Sequence, residues 1–310
     1  MITALIGILI GTGLSFQTAV NSQLRKFVIS PYLASMISFV IGAISLAVII
    51  LITGSPLGIG WGFITQQPVW IWLGGVLGVI FLTVNILLFP KLGSVQTAIM
   101  PILGQIIMGM LIDNFGWFHS MKESFDIYRL IGIVLVLVGV FFAIAVQEFK
   151  SRIEKTQEIN PTLWIWRLVG IASGMLMSTQ VAINGQLGIV LQSSIQAAFV
   201  SFFIGALTLI IVVGVKDRSY TAIRNPIKQK ASWWVWLGGF LGAAYVLINI
   251  YLVKQVGTGQ TVVLVLFGQI AGSLLIQRFG WMNSLKMRID WIQIGGLMLI
   301  LAGVIFIRIF

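Results

Sequence analysis

The chain has 310 residues, of which 58% are apolar and 9% charged, where soluble domains have about 45–50% and about 25%. So few charges cannot coat a soluble core, which excludes a soluble enzyme and a disordered chain. The net charge of +11 is too sparse, and too interrupted by apolar runs, for a nucleic-acid-binding surface. Cysteine is absent and His119 is the single histidine, so a disulfide framework, a thiolate metal site and a histidine cluster are excluded and no cofactor or metal is expected. What remains is an integral membrane protein.

A helix crossing about 30 Å of hydrocarbon takes about 20 apolar residues. In chain order such runs fall at 2–24, 32–53, 69–89, 94–113, 127–147, 163–187, 194–215, 233–253, 260–277 and 290–308. Lipid offers no water to open backbone groups, so only helices or closed barrels can span. These runs are too long and too evenly apolar for barrel strands. The expected fold is all-α, with ten transmembrane helices. The first run lacks a basic leader and is longer than the apolar core of a signal peptide, so it reads as a retained span. The polar stretch from Gln147 to Thr162 reads as a linker, dividing the chain into 1–147, a linker at 148–162, and 163–310.

The two parts repeat one another. FQTAVNSQL at Phe16–Leu24 aligns with TQVAINGQL at Thr179–Leu187, both spelling Gln-x-x-x-Asn-x-Gln-Leu at an offset of 163. SFVIGA at Ser38 meets SFFIGA at Ser201. After one inserted residue the offset is 164: WLGGVLG at Trp72 meets WLGGFLG at Trp236, and Phe115-Gly116-Trp117 meets Phe279-Gly280-Trp281. Shared Leu, Ile and Val could arise from composition, but ordered matches in Gln, Asn, Trp and Gly across five spans cannot.

Five spans per half is an odd number, so the second half is expected to enter the membrane in the opposite sense. Equivalent loops should then carry opposite basic bias. Arg25 and Lys26 are matched by an uncharged loop at 188–193. The uncharged loop 54–68 is matched by one holding Lys216, Arg218, Arg224, Lys228 and Lys230, and Lys122 by Arg278, Lys286 and Arg288. Fifteen of the 19 basic residues collect on one side, which should be cytoplasmic, with both termini outside.

Inverted repeats can exchange conformations around a central site, expected where equivalent polar residues converge near the midplane. Gln17 and Asn21 share one helix face, as do Gln180 and Asn184. Asn85 and Asn249 sit late in spans three and eight, and Gln105 and Gln269 near the middle of spans four and nine. These eight amides are the candidate substrate contacts. Amides also glue membrane helices together, and the sequence leaves both roles open. Gln23, Gln186, Gln96 and Gln260 lie near span ends and read as capping or interfacial groups.

Gly7-x-x-x-Gly11, Gly170-x-x-x-Gly174, Gly74-x-x-x-Gly78 and Gly238-x-x-x-Gly242 read as close helix contacts. Pro101 should kink the fourth span, and Trp70, Trp72, Trp117, Trp234, Trp236 and Trp281 suit interface anchors. No charged residue falls in the middle third of a span. Asp113, Arg129, Arg167, Arg278 and Arg308 lie near ends, where long side chains can snorkel. An intramembrane carboxylate is the usual proton carrier, and none is present; neutral amides suit an uncharged or zwitterionic solute, or ion coupling through neutral oxygens. Asp126 and Asp290 open their spans and complement the helix dipole. Only His119, Asp113, Glu123 and Asp126 group acid–base residues in sequence, too thin a basis for an enzyme.

Two five-span halves, each opening on the Gln-x-x-x-Asn-x-Gln-Leu element and ending in a Gly-rich span, resemble the YdcZ-type group of the drug/metabolite transporter superfamily in its fused, antiparallel two-domain form. The resemblance covers almost the whole chain. It implies a secondary transporter that moves a small organic solute, chiefly outward, across a bacterial cytoplasmic membrane by alternating access at a midplane cavity. A channel or facilitator for a small solute or ion is the alternative. The partners implied are a small-molecule substrate and the lipid bilayer, with proton or sodium coupling and no nucleic acid, in a monomer of two pseudo-symmetric halves or a homodimer. The small multidrug transporters of the superfamily use a glutamate in their first helix. Neither first-type helix here holds an acid, so that proton-coupled mechanism does not carry over.

Overall fold

The computed structural model describes residues 2–120, 122, 126–153, 162–284, 286 and 289–309. They are helical almost throughout, with no strand among them. The α-helices are α1 (Ile2–Val28), α2 (Pro31–Ile52), α3 (Trp61–Gln66), α4 (Gly74–Phe115), α5 (Ile127–Ile153), α6 (Thr162–Val190), α7 (Ser194–Lys216), α8 (Asn225–Lys228), α9 (Gly238–Phe279) and α10 (Trp291–Ile309). Five of them, α1, α2, α4, α6 and α7, are long and apolar enough to cross a membrane. Further apolar helical stretches run over Ile127–Phe142, Gly238–Leu252, Leu264–Phe279 and Trp291–Phe306.

Local sequence sets the helix ends. The Ser30 hydroxyl accepts from the Leu33 N–H at 3.2 Å, and at the equivalent place Ser193 accepts from Gln196 N–H at 3.2 Å. Each satisfies a first-turn donor that has no partner within the helix. Pro31 opens α2, a position where its missing N–H costs nothing. α4 and α9 both stop at a left-handed glycine, Gly116 and Gly280.

α4 runs for 42 residues, about 63 Å if straight and twice a bilayer core. It is not straight. Gly93 takes φ 74° and ψ 177°, dihedrals that a β-carbon would oppose. Leu88 and Met100, about 18 Å apart along an unbroken helix, both lie against Gly170, so the chain doubles back between them. Leu252 and Leu264 both lie against Gly7, and α9 folds back in the same way. Pro101 lies inside the second arm of α4 with helical dihedrals, and the reversal of the chain is at Gly93. Helix α5 continues past the expected end at 147 to Ile153; residues 154–161 of the expected linker lie outside the described residues.

The two halves interlock. α1 packs on α9, α6 on α4, α2 on α7 and α5 on α10, so the main seams join one half to the other. Glycines make the first two seams possible. Gly11 lies on the Val265 carbonyl and Gly268 on that of Ile8; their equivalents Gly174 and Gly104 lie on the carbonyls of Pro101 and Ile171. A β-carbon at any of these would overlap backbone. α2 and α7 cross with Phe39 over Gly205 and Phe202 over Gly42, the two rings 4.9 Å apart.

Candidate substrate cavity

The two most distinctive repeated elements meet each other across the halves. Gly74 and Gly78 of α4 lie against Asn184 and Gln180 of α6, and Gly238 and Gly242 of α9 lie against Asn21 and Gln17 of α1. A β-carbon at any of the four would overlap the facing amide. Gly75 and Gly239 lie on the carbonyls of Ser201 and Ser38. The Gly-Gly-x-x-Gly of each WLGGxLG segment is thus a socket for the Gln-x-x-x-Asn of the other half. Asn21 donates through Nδ2 to Ser38 Oγ at 3.2 Å, and Asn184 to Ser201 Oγ at 3.2 Å.

Gln17 and Gln180 also border open space. A small cavity lies where the halves cross, and the twelve described residues that line it form six equivalent pairs. Gln17/Gln180, Phe39/Phe202, Gly78/Gly242 and Phe81/Tyr245 are four; Leu14/Met177 and Leu82/Val246 complete the set. Two further small cavities border Tyr245 and Asn249; one adds Gln180 and Asn184, the other Gln105 and Ser178. A fourth is lined by Ser15, Thr18, Ser94, Thr97 and Gln269 among others. Among the described residues no charged side chain lines any of the four.

The structure therefore brings Gln17, Gln180, Asn184, Asn249 and Gln105 to three cavities that share Tyr245, and Gln269 to the fourth. Asn21 and Asn85 are buried but border none of these four. Several buried amide atoms have no hydrogen-bond partner: Gln180 Oε1, Asn184 Oδ1, Gln105 Nε2 and Gln269 Oε1. Tyr245 was not among the residues singled out by sequence. Its ring is 4% exposed and its hydroxyl accepts from Asn249 Nδ2 at 3.1 Å. The available signal was a tyrosine four residues before a matched asparagine, at a place where the first half has Phe81.

Four expectations need correction. Gln23 is not interfacial: α1 runs on to Val28 and buries it. Gln96 is not a cap but lies inside α4, accepting from Arg167 Nε at 3.2 Å. Arg167 does not snorkel; it is 2% exposed, with its guanidinium over the Trp164 ring at 4.7 Å. Arg129 is buried as well. Asp126 does cap α5, its Oδ1 accepting from Arg129 N–H at 2.9 Å. Gln186 is half-buried, while the side chain of Gln260 and all of Glu123 lie outside the described residues.

A solved crystal structure shares the fold, with a TM-score of 0.62 over 98% of this chain and 96% of its own, at 14% sequence identity. No curated protein matches the chain. Residues 2–142 and 165–306 match the family described as "Putative inner membrane exporter, YdcZ", one match to each of the two repeated halves. The chain belongs to this YdcZ family of the drug/metabolite transporter superfamily.

Proposed function

We propose that the chain spans the membrane ten times as two inverted five-span repeats, with both termini outside, and exports a small organic solute by alternating access. The observation that carries this reading is the make-up of the central cavity, in which every lining position has its equivalent from the other half. A cavity built in this way lies on a pseudo-two-fold, and halves that trade conformations open it to one side and then the other.

Contacts between loops support the inverted sense. Asn225 Nδ2 donates to the Phe27 carbonyl at 3.2 Å, joining the first connection of one half, with Arg25 and Lys26, to the second of the other, with five basic residues. Gln196 Nε2 donates to the Pro56 carbonyl at 2.7 Å, joining two uncharged ones. In each pair the first-type loop of one half meets the second-type loop of the other, as inversion requires. The folding back of α4 and α9 supplies two arms from each, which brings the spans to ten. With no carboxylate in the cavities, ion coupling would draw on neutral oxygens, and the hydroxyls of Ser15, Thr18, Ser94 and Thr97 are grouped around the fourth cavity.

The native absence of cysteine gives a direct test. In right-side-out and inside-out vesicles, a membrane-impermeant thiol reagent should reach Gln17→Cys and Gln180→Cys from both sides. Reaction from neither side sinks the cavity as a transport path. In proteoliposomes a transporter holds an imposed potassium diffusion potential, whereas a channel open to ions collapses it.

A further inference from the structure

Within the central cavity the two halves differ in polarity at one pair. Leu14/Met177 and Leu82/Val246 exchange apolar for apolar, and Gln17/Gln180 are identical, but Phe81 is matched by Tyr245. The Tyr245 oxygen accepts from Asn249, and its own proton has no acceptor among the described residues. Three of the four cavities border this one side chain.

The groups around Tyr245 offer both kinds of hydrogen bond. Gln180 Oε1 and Asn184 Oδ1 are buried acceptors without partners, and Gln105 Nε2 is a buried donor without one. A phenol O–H and an amide N–H beside two amide oxygens complement a carbonyl next to an N–H. Phe39, Phe81 and Phe202 add apolar walls suited to a flat ring. An ionised solute would lose its water with no counter-charge on any wall, which costs far more than hydrogen bonds return.

Resting on the export reading above, we infer that the cavity takes an uncharged ring compound bearing an amide-like donor–acceptor edge, and that Tyr245 selects for it. The asymmetry gives the substrate one orientation in an otherwise symmetric frame. Tyr245→Phe copies the residue that already occupies the equivalent position, so it removes the hydroxyl and keeps the packing.

Three probes with one ring and three charges test the inference: benzamide, benzoate and benzylammonium, in thermal unfolding of the purified full chain at constant ionic strength. Benzamide at about ten times its dissociation constant should raise Tm by about 2–4 °C, with no shift from either ion. Tyr245→Phe also takes the acceptor from Asn249 Nδ2, so it should lower the unliganded Tm slightly and, read against that new baseline, bind benzamide about five- to tenfold more weakly. A larger shift with benzylammonium or benzoate, or none with benzamide up to its solubility, overturns the substrate class. An undiminished benzamide shift in Tyr245→Phe overturns the role of Tyr245. Should that variant fail to fold, the three-charge comparison on the native chain still decides the class. Cysteine access is read separately: an accessible cavity that ignores benzamide rejects only this class, and an inaccessible one rejects export through it.

Discussion

The α4–α6 seam and the α1–α9 seam use equivalent glycines but are fastened differently. At α4–α6, Arg167 binds Gln96 and stacks on Trp164 while Lys91 Nζ sits 4.3 Å over the Trp166 ring. The equivalent places at the start of α1 hold Thr3 and Ala4 for Trp166 and Arg167. There the fastening is by hydroxyls: Thr12 Oγ1 donates to the Gly268 carbonyl at 3.0 Å and Ser15 Oγ to the Gln269 carbonyl at 2.7 Å. The close approach of backbones is shared and symmetric, whereas the polar clamps are private to each seam. A frame that must populate two mirror-related states needs such differences to set which state prevails.

The largest expected effect comes from breaking what the seams share. Gly11→Leu and Gly174→Leu each push a side chain into a carbonyl of the partner helix, and each should cost about 3 kcal/mol or more. Both should fail to yield folded protein by size-exclusion chromatography. If one is tolerated, the seams are not equivalent even in packing.

Removing the private clamps sharpens the comparison. Arg167→Ala removes the bond to Gln96 and the stacking on Trp164 and should destabilise by about 1–3 kcal/mol in denaturant unfolding. It should also shift the sidedness of thiol labelling at Gln180→Cys, which a merely structural role would leave alone. Ser15→Ala loses one neutral hydrogen bond, worth about 1 kcal/mol.

The matched sockets should behave alike. Asn21→Ala and Asn184→Ala each remove a bond to a serine and should cost about 1–2 kcal/mol, equal within error. Double-mutant cycles with Ser38→Ala and Ser201→Ala check that the loss belongs to those bonds. The smallest effect is expected of Thr18→Val, which copies Val181 of the other half. It should change stability in choline buffer by less than about 0.5 kcal/mol and abolish any extra stability conferred by sodium. A sodium effect that survives it removes Thr18 from ion coupling.

Much of this was legible in the sequence because membrane helices announce themselves through run length, and a duplication through ordered polar matches. The repeated Gln-x-x-x-Asn and Gly-Gly-x-x-Gly elements were both visible, but not that each is the other's partner, since that contact joins residues more than 100 positions apart. Gln23, Gln96 and Arg167 were misread for a related reason. Hydropathy stops where apolar composition stops, whereas α1 and α4 continue and bury the polar side chains beyond that point. Tyr245 was passed over because a tyrosine in an apolar run reads as core until a cavity is found beside it.

The sequence alone determined that the chain is a helical membrane protein made of one unit twice, because apolar run length and ordered repetition are one-dimensional properties. It also determined the absence of charge near the middle of the spans, and with it the chemistry denied to any site there. Only the tertiary structure decided that the halves interlock through the glycines, that the chain reverses at Gly93, and that the amides are shared between sockets and cavities. Those are matters of which surfaces meet, and a symmetric pattern of residues leaves open where one half touches the other and where it leaves a space.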